Sequence, residues 1–309
     1  MRQPEVIIPT YGNNLFYKYS GALILIANKL KHEIEGYKTP RTFPIKQFGR
    51  AADYDIKVVK HWLEWLSFYA NKKTNLSGKQ VLELGPGADL GVGLYLLFIG
   101  ADRYNAIDIH NLVNTVPDGL YSELFKKIRS LALAEDVVDI NFLREQLAKT
   151  KAGTPDKLNY VHSAKFDFST FQEHSIDLVV SQAAFEHFED MDQTFHDLER
   201  IVKSGSQLVS VIDLKTHTRW IRDKDPLNIY RYNDFFYNLC RFKGSPNRLR
   251  PRDYKNIATR YGWKDIVIYP ELVLDKDYVK YVKNSLSTQF NNDSSQMEYL
   301  SVVLCATKR

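Results

Sequence analysis

The sequence predicts an α/β fold: a Rossmann-like, doubly wound sheet of about seven strands, mostly parallel with an antiparallel C-terminal strand, and helices on both faces. Three observations predict it. Short apolar runs alternate with helix-period segments between residues 53 and 213, the pattern of βαβ crossovers. A glycine-rich turn, Gly85-Pro86-Gly87, joins the first such run to an apolar helical segment. The last two strand-like runs, 264–269 and 298–307, lie about thirty residues apart and close the chain.

Taken in order, residues 1–50 carry scattered Pro, Gly, Asn and Lys with many aromatics and no sustained period. Residues 1–74 are predicted to form an N-terminal helical extension, and 75–309 the main domain. From Asp53, a plausible N-cap, Ile56, Val59, Leu63, Leu66 and Ala70 recur at intervals of three and four, widened by Trp62. That is one face of an amphipathic helix. Asn75-Leu-Ser-Gly78 ends it. Strands are predicted over 79–84, 103–109, 159–162, 176–182 and 207–213, with helices over 89–99 and 191–203. In the second helix Phe195, Leu198, Ile201 and Val202 share a face. Two segments exceed a minimal sheet: 111–158, rich in helix formers (YSELFKKIRSLALAE), and 215–260. Both begin at carboxyl ends of strands, where open α/β sheets bind ligands, so both are expected to supply a pocket or lid.

Composition excludes several classes. Hydrophobic residues make up 44% of the 309 and charged residues 26%, which is globular rather than disordered. The longest run free of charge, Leu90 to Ala101, is shorter than the roughly 20 apolar residues of a membrane span. The N-terminus has no secretory-leader pattern, and a cytoplasmic location is expected. Two cysteines, Cys240 and Cys305, build neither a disulfide framework nor a thiolate zinc cage. A net charge of +5 is too small to imply nucleic acid. Its densest stretch, Arg241 to Arg252, reads either as a solvated loop or as a site for an anionic substrate.

The glycine turn defines a nucleotide-type site. Glycines are needed where the chain turns sharply and a ligand approaches the backbone, and the following helix offers unpaired N–H groups. The dinucleotide spacing Gly-x-Gly-x-x-Gly is not met, because Leu90 stands at the third position and Gly91 comes one residue late. No Gly-Lys-Ser/Thr follows, so it is not a P-loop. Glu83 lies inside the strand, two residues before Gly85. A carboxylate there repels a pyrophosphate but suits an ammonium and a sulfonium, which favours S-adenosylmethionine over NAD. Asp108, ending the second strand, is placed to accept from both ribose hydroxyls, and Asp167, after the third, to meet the exocyclic amine of adenine.

These motifs resemble a class I S-adenosylmethionine-dependent methyltransferase over residues 75–309: VLELGPG at 81–87, NAIDIH at 105–110, KFDF at 165–168, IDLVVSQAAFEHF at 176–188 and LERIVKSGSQLVSVID at 198–213. The resemblance implies that Glu83, Gly85, Pro86 and Gly87 meet the methionine end of the cofactor. It implies that Asp108 holds the ribose, Ile109, Asp167 and Phe168 bound the adenine, and Ser181, Gln182 and Ala183 close the site beneath the sulfonium. Ser204-Gly-Ser206 replaces the family's Pro-Gly-Gly and is expected to keep a turn. Ser181-Gln-Ala-Ala184 lacks both the Asn/Asp-Pro-Pro motif of amino-methylating nucleic-acid enzymes and the acidic cluster of the metal-dependent catechol type. VIDLKTHTRW and PNRLRPRDY resemble methyltransferases of polysaccharide and secondary-metabolite pathways, which points to a small-molecule or glycan acceptor. Phe185-Glu-His-Phe188 resembles cyclopropane fatty-acid synthases, so a lipid acceptor stays an alternative.

An aliphatic hydroxyl acceptor generally needs a base. His187 after the fourth strand and His217 after the fifth are the candidates, with Glu186 as an orienting carboxylate. No metal is expected from His187, His196 and Glu186, whose spacing is not that of a helical ligand pair. Trp220, Asn247 and Arg248 are candidates for substrate binding, as an aromatic face with a polar rim; Tyr230, Tyr232, Phe235 and Phe236 are the other aromatics of that insertion. Nucleic-acid methylation through the basic stretch, and a cofactor-binding module without catalysis, are the remaining alternatives. The sequence leaves the acceptor, the oligomeric state and the choice of histidine open.

Overall fold

The computed structural model describes residues 3–36, 44–111, 115–131 and 139–309. Its strands are β1 (Glu5–Ile7), β2 (Gln80–Leu84), β3 (Arg103–Asp108), β4 (Leu158–His162), β5 (Ile176–Gln182), β6 (Val202–Asp213), β7 (Trp263–Leu274) and β8 (Tyr299–Lys308). They form one sheet in the order β1-β7-β8-β6-β5-β2-β3-β4. β2 to β6 are mutually parallel, and β8 runs antiparallel between β6 and β7. The expected strands are thus present, with one addition: β1, from the N-terminal extension, pairs parallel with β7, Glu5 opposite Leu272 and Ile7 opposite Leu274.

Strand sequences explain the layering. Neighbouring side chains point to opposite faces, and here both faces are apolar, as a parallel sheet covered on both sides requires. Val81, Leu178 and Val180 enter one core, while Leu82, Leu84 and Val179 enter the other. Ser204-Gly-Ser206, expected as a turn before the fifth strand, is instead an irregularity inside β6. Val202 pairs with Ile176, the next pairing is Gln207 with Leu178, and Gly205 sits at φ +79°.

The first face is covered by α2 (Phe48–Ala70), α3 (Gly91–Phe98), α4 (Asp118–Leu131) and α5 (Ile140–Lys151). α2 begins at Phe48 rather than at the predicted cap Asp53. Its buried stripe already includes Phe48, Ala51 and Ala52, and Asp53 is an exposed mid-helix residue paired with Lys127 at 2.6 Å. α3 is buried at all eight positions, the environment that an uncharged helix needs. Each of its three leucines contributes about 1.5–3 kcal/mol by burial. Residues 132–135 of the helix-forming stretch read from the sequence lie outside the described residues.

The opposite face carries α6 (Met191–Ile201) and α9 (Pro251–Arg260). A third apolar cluster forms where α1 (Asn14–Glu35) meets the second insertion and α10 (Lys276–Lys283), through Tyr230, Tyr232, Tyr237, Tyr278 and Phe290. α7 (Arg219–Arg222) and α8 (Asp234–Cys240) belong to that insertion. At its centre Arg231 Nε lies 2.7 Å from Asp225 Oδ2, both side chains fully buried. Among the described residues no helix is long and apolar enough to cross a membrane.

β2 and β5 are neighbours, yet the chain leaves β2 towards β3 and β4 and returns to build β5 and β6 on the other side. This is a topological switch point, and the crevice outside the carboxyl ends of such strands is where ligands bind.

Candidate active site

β2 ends at Leu84, and the chain reverses through Gly85 (φ +72°) and Gly87 (φ +81°), a region costly to residues with a Cβ. A Cβ on Gly85 would stand 2.8 Å from that of Ala184, so a side chain there would close the crevice. Opposite, Ala183 adopts φ +48°, at a cost of about 1–2 kcal/mol, and turns the chain from β5 into a 3-10 turn at Phe185–His187. Between these two turns opens a cavity of about 870 Å³, the size of a site for a small organic ligand. Glu83, Gly85, Pro86, Gly87, Asp108, Ile109, Phe168, Gln182, Ala183 and His187 all line it.

Its floor is acidic. Glu83 is buried and accepts a 2.5 Å hydrogen bond from the Tyr104 hydroxyl. Burial pushes its carboxyl up to about 8, the tyrosine bond working against that and the charges of Asp89 and Asp108 adding to it. Asp108 accepts from the His110 amide at 2.8 Å and from the Gly87 amide at 3.4 Å, and burial raises its pKa against those donors. Two further acids were not anticipated from the sequence. Asp89 accepts from the Gly91 amide at 2.8 Å, and Asp55 reaches the cavity from α2. Burial raises both carboxyls, and the charges of Asp89 and Glu83 raise Asp55 further. Asp55 Oδ2 and Gln182 Oε1 are buried with no hydrogen-bond partner among the described residues. Gln182 Oε1, an acceptor left open, fits a ligand that brings its own donor, and the acidic groups around it disfavour a pyrophosphate. Tyr54, Phe166, Phe188 and Lys243 complete the wall without having been expected.

Several expected residues are not brought to the cavity. Asp167 is exposed and accepts from the Ser169 amide and hydroxyl, both at 2.8 Å, which lowers its pKa and makes it a turn-capping residue. Ser181 is fully buried, its hydroxyl given to the Leu84 carbonyl at 2.9 Å, so it ties β5 to β2. Trp220 is half exposed on α7, with Lys224 over its ring. Asn247 gives its amide to the Phe185 and Phe188 carbonyls and so holds the 3-10 turn in place from outside the cavity. Arg248 is buried, donating to the Ile229 and Tyr232 carbonyls and to Asp234. Arg250 is buried likewise on the carbonyls of Ser295, Gln296 and Tyr299. The stretch 241–252 is therefore not a free basic patch, because two of its guanidinium groups serve the interior. Tyr230 and Tyr232 are core residues, and Phe235 is exposed.

The histidines do meet. His187 Nδ1 lies 2.7 Å from the Gly244 carbonyl and His217 Nδ1 lies 2.9 Å from that of Lys215. A carbonyl can only accept, so each Nδ1 carries its proton and each neutral ring presents an Nε2 lone pair. Glu186 is buried, and neither of its carboxylate oxygens has a hydrogen-bond partner among the described residues. His217 Nε2 stands 3.8 Å from Glu186 Oε1. Burial lowers the pKa of His187 and outweighs the pull of Glu186. For His217 burial acts in the same direction, but Glu186 and Asp213 together overcome it and the pKa is raised. His196 lies apart on α6, exposed beside Asp197.

Residues 118–210 match the family described as a methyltransferase domain. The matched span begins beyond the glycine turn and takes in β4, β5, α6 and most of β6. A comparison with curated proteins finds no match. Among solved structures, the chain is similar to phosphoethanolamine N-methyltransferase 2 of Haemonchus contortus in complex with S-adenosyl-L-methionine, at 13% identity and a TM-score of 0.42, over 83% of this chain and 52% of that one. The chain thus spans about half the length of that protein. It is similar also to the CurJ carbon methyltransferase, at 16% identity and a TM-score of 0.46, over 95% of this chain and 68% of that one. A third likeness is an S-adenosylmethionine-dependent methyltransferase from Mesorhizobium loti, at 12% identity and a TM-score of 0.41, over 81% and 100% of the two chains. Residues 118–210 are thus similar to a methyltransferase domain, and the cavity lies at the switch point of the sheet that carries them.

Proposed function

We propose that this chain transfers a methyl group from S-adenosylmethionine to a hydroxyl oxygen of a small-molecule or glycan acceptor and that His187 receives the hydroxyl proton. The observation that carries this reading is the placement of His187. It stands in the cavity wall, its Nδ1–H is held by the Gly244 carbonyl, and Nε2 is left as the acceptor. Nitrogen acceptors can do with positioning alone, whereas a hydroxyl must lose its proton as the new bond forms, so a fixed imidazole beside the cavity favours oxygen. Glu186 and His217 act through His187: the buried carboxylate stabilises the cation formed when Nε2 takes the proton.

In this reading Asp108 holds the ribose, Ile109 and Phe168 border the adenine, and Glu83, Gly85, Pro86 and Gly87 receive the methionine end, with Gln182 and Ala183 beneath the sulfonium. Bound there, the cofactor supplies an electrophilic methyl group and is left as a neutral thioether. The acidic floor favours the cationic cofactor over its product, which assists release.

The test is methyl transfer from labelled cofactor to panels of hydroxyl-bearing glycans and metabolites. Wild-type protein is expected to give an O-methyl product. His187→Asn should lower turnover by roughly 10²–10⁴-fold while S-adenosylhomocysteine still binds. A product methylated at nitrogen or carbon, or unchanged turnover in the variant, would sink the proposal.

A further inference from the structure

The three groups around His187 are arranged as more than a base and its neighbours. One ligand atom from each of Glu186, His187 and His217 lies within 4.8 Å of the others. Both rings have their Nδ1–H tied to a backbone carbonyl, at 2.7 Å and 2.9 Å. That is the outer-partner arrangement which fixes the tautomer and orientation of metal-binding histidines. The carboxylate between them is 2% exposed and has neither oxygen satisfied among the described residues. A buried carboxyl group whose oxygens find no donor within hydrogen-bond distance is costly and calls for a cationic partner.

We infer that Glu186, His187 and His217 form a binding site for a divalent transition-metal ion of the Zn²⁺ class. Two neutral imidazoles and one carboxylate are a borderline donor set, which suits Zn²⁺ and its neighbours rather than Mg²⁺. Ligand bonds of about 2.1 Å place tetrahedral ligand atoms about 3.4 Å apart, so closing the site takes side-chain movements of about 1 Å. Three protein ligands would leave a coordination position open, and His187 is the ligand that stands in the cavity wall. His217 keeps 30% of its side chain exposed, which gives the ion an access path. The ion and the proton compete for the same lone pairs. An ion held there would take the Nε2 lone pair that otherwise receives the proton, and would itself favour loss of the acceptor's proton by lowering the hydroxyl pKa. The inference rests on the proposed acceptor reading only for what stands at the open position; metal binding itself is measured without any acceptor.

The experiment titrates Zn²⁺, and separately Mg²⁺, into chelator-treated full-length protein by calorimetry, with Co²⁺ absorption as a spectroscopic readout of nitrogen and oxygen ligation. Wild type should bind one Zn²⁺ and prefer it to Mg²⁺. The near-isosteric Glu186→Gln and His217→Asn should weaken Zn²⁺ by roughly 100-fold or more, since loss of an outer partner alone costs 10–100-fold. The Co²⁺ bands should be lost with it, while thermal unfolding shows both variants folded. Zn²⁺ binding that both folded variants retain, a preference for Mg²⁺, or no binding to wild type would each overturn the assignment. A metal that binds while no hydroxyl acceptor is methylated would refute the acceptor reading and leave the site standing.

Discussion

His187 and His217 lie edge to face with ring centroids 4.7 Å apart, although one follows β5 and the other follows β6. Their meeting is a consequence of register. The two strands are parallel neighbours, Gln182 pairs with Val211, and each histidine comes a few residues beyond its strand's carboxyl end. Glu186 is buried between them because the turn after Ala183 points it inward, and Asn247 holds that turn through two backbone carbonyls.

The first prediction separates the two rings. His187 touches the cavity and His217 does not, so His187→Asn should lower kcat by roughly 10²–10⁴-fold, the usual contribution of a positioned acid or base. His217→Asn should cost less, because it removes a positioning residue. Both variants should retain wild-type affinity for S-adenosylhomocysteine in calorimetry. Equal losses in the two variants would contradict the assignment of roles.

The second concerns Asp55 and Gly91. A Cβ on residue 91 would collide with Asp55 Oδ2 and lie 2.7 Å from its Cγ. Gly91→Ala should therefore destabilise the protein by about 1–3 kcal/mol through overpacking, despite alanine's better helix propensity. In an Asp55→Ala background the same change should cost nothing or stabilise. Denaturant unfolding of the four proteins measures it, and additive effects would refute the steric explanation.

The third follows from Glu83, whose carboxyl is pushed up to about 8 in the folded protein by burial, above its ordinary 4.5. A raised folded pKa favours the folded state fully below the unfolded value and loses that contribution as pH rises through the folded one. Ligand-free wild type should thus lose stability between about pH 5 and pH 9 relative to Glu83→Gln, with the two alike at the acid end. Thermal unfolding across that range tests it; parallel curves would show that Glu83 does not titrate there.

Much of this was legible in the sequence, because the sheet is written in alternating apolar runs and the glycine turn lies where its strand ends. The eighth strand was not: Glu5–Ile7 is three residues of no marked pattern, and only pairing with β7 makes it a strand. Asp55 did leave a signal, a lone charge on the buried face of α2 between Ala52 and Val59. Charge density misled at Arg248 and Arg250, since composition cannot distinguish a guanidinium in solvent from one seated on carbonyl oxygens. Asp167 misled for a related reason, because a short acidic side chain two residues before a serine caps its own turn. The histidine pair was named, but its closure around Glu186 depends on strand register, which no local pattern carries.

The fourth prediction concerns the second insertion. Asp225 pairs with Arg231 and also accepts from Asn228 and the Tyr278 hydroxyl, all within the interior. Asp225→Ala strands a buried guanidinium and should cost about 3–5 kcal/mol. Replacing both partners with apolar residues of similar volume should recover most of that loss. Denaturant unfolding reads both, and a cost below about 1 kcal/mol for the single change would show that the pair is not holding the insertion.

The central claim is that the cavity at the ends of β2, β3 and β5 holds S-adenosylmethionine with Asp108 on its ribose. Calorimetric titration of S-adenosylhomocysteine into wild type and into Asp108→Ala tests it most directly. Wild type should bind one equivalent, and the substitution should weaken binding by about 1–3 kcal/mol, the cost of unpairing hydrogen bonds to a charged group. No binding to wild type, or equal affinity in the two proteins, would contradict it.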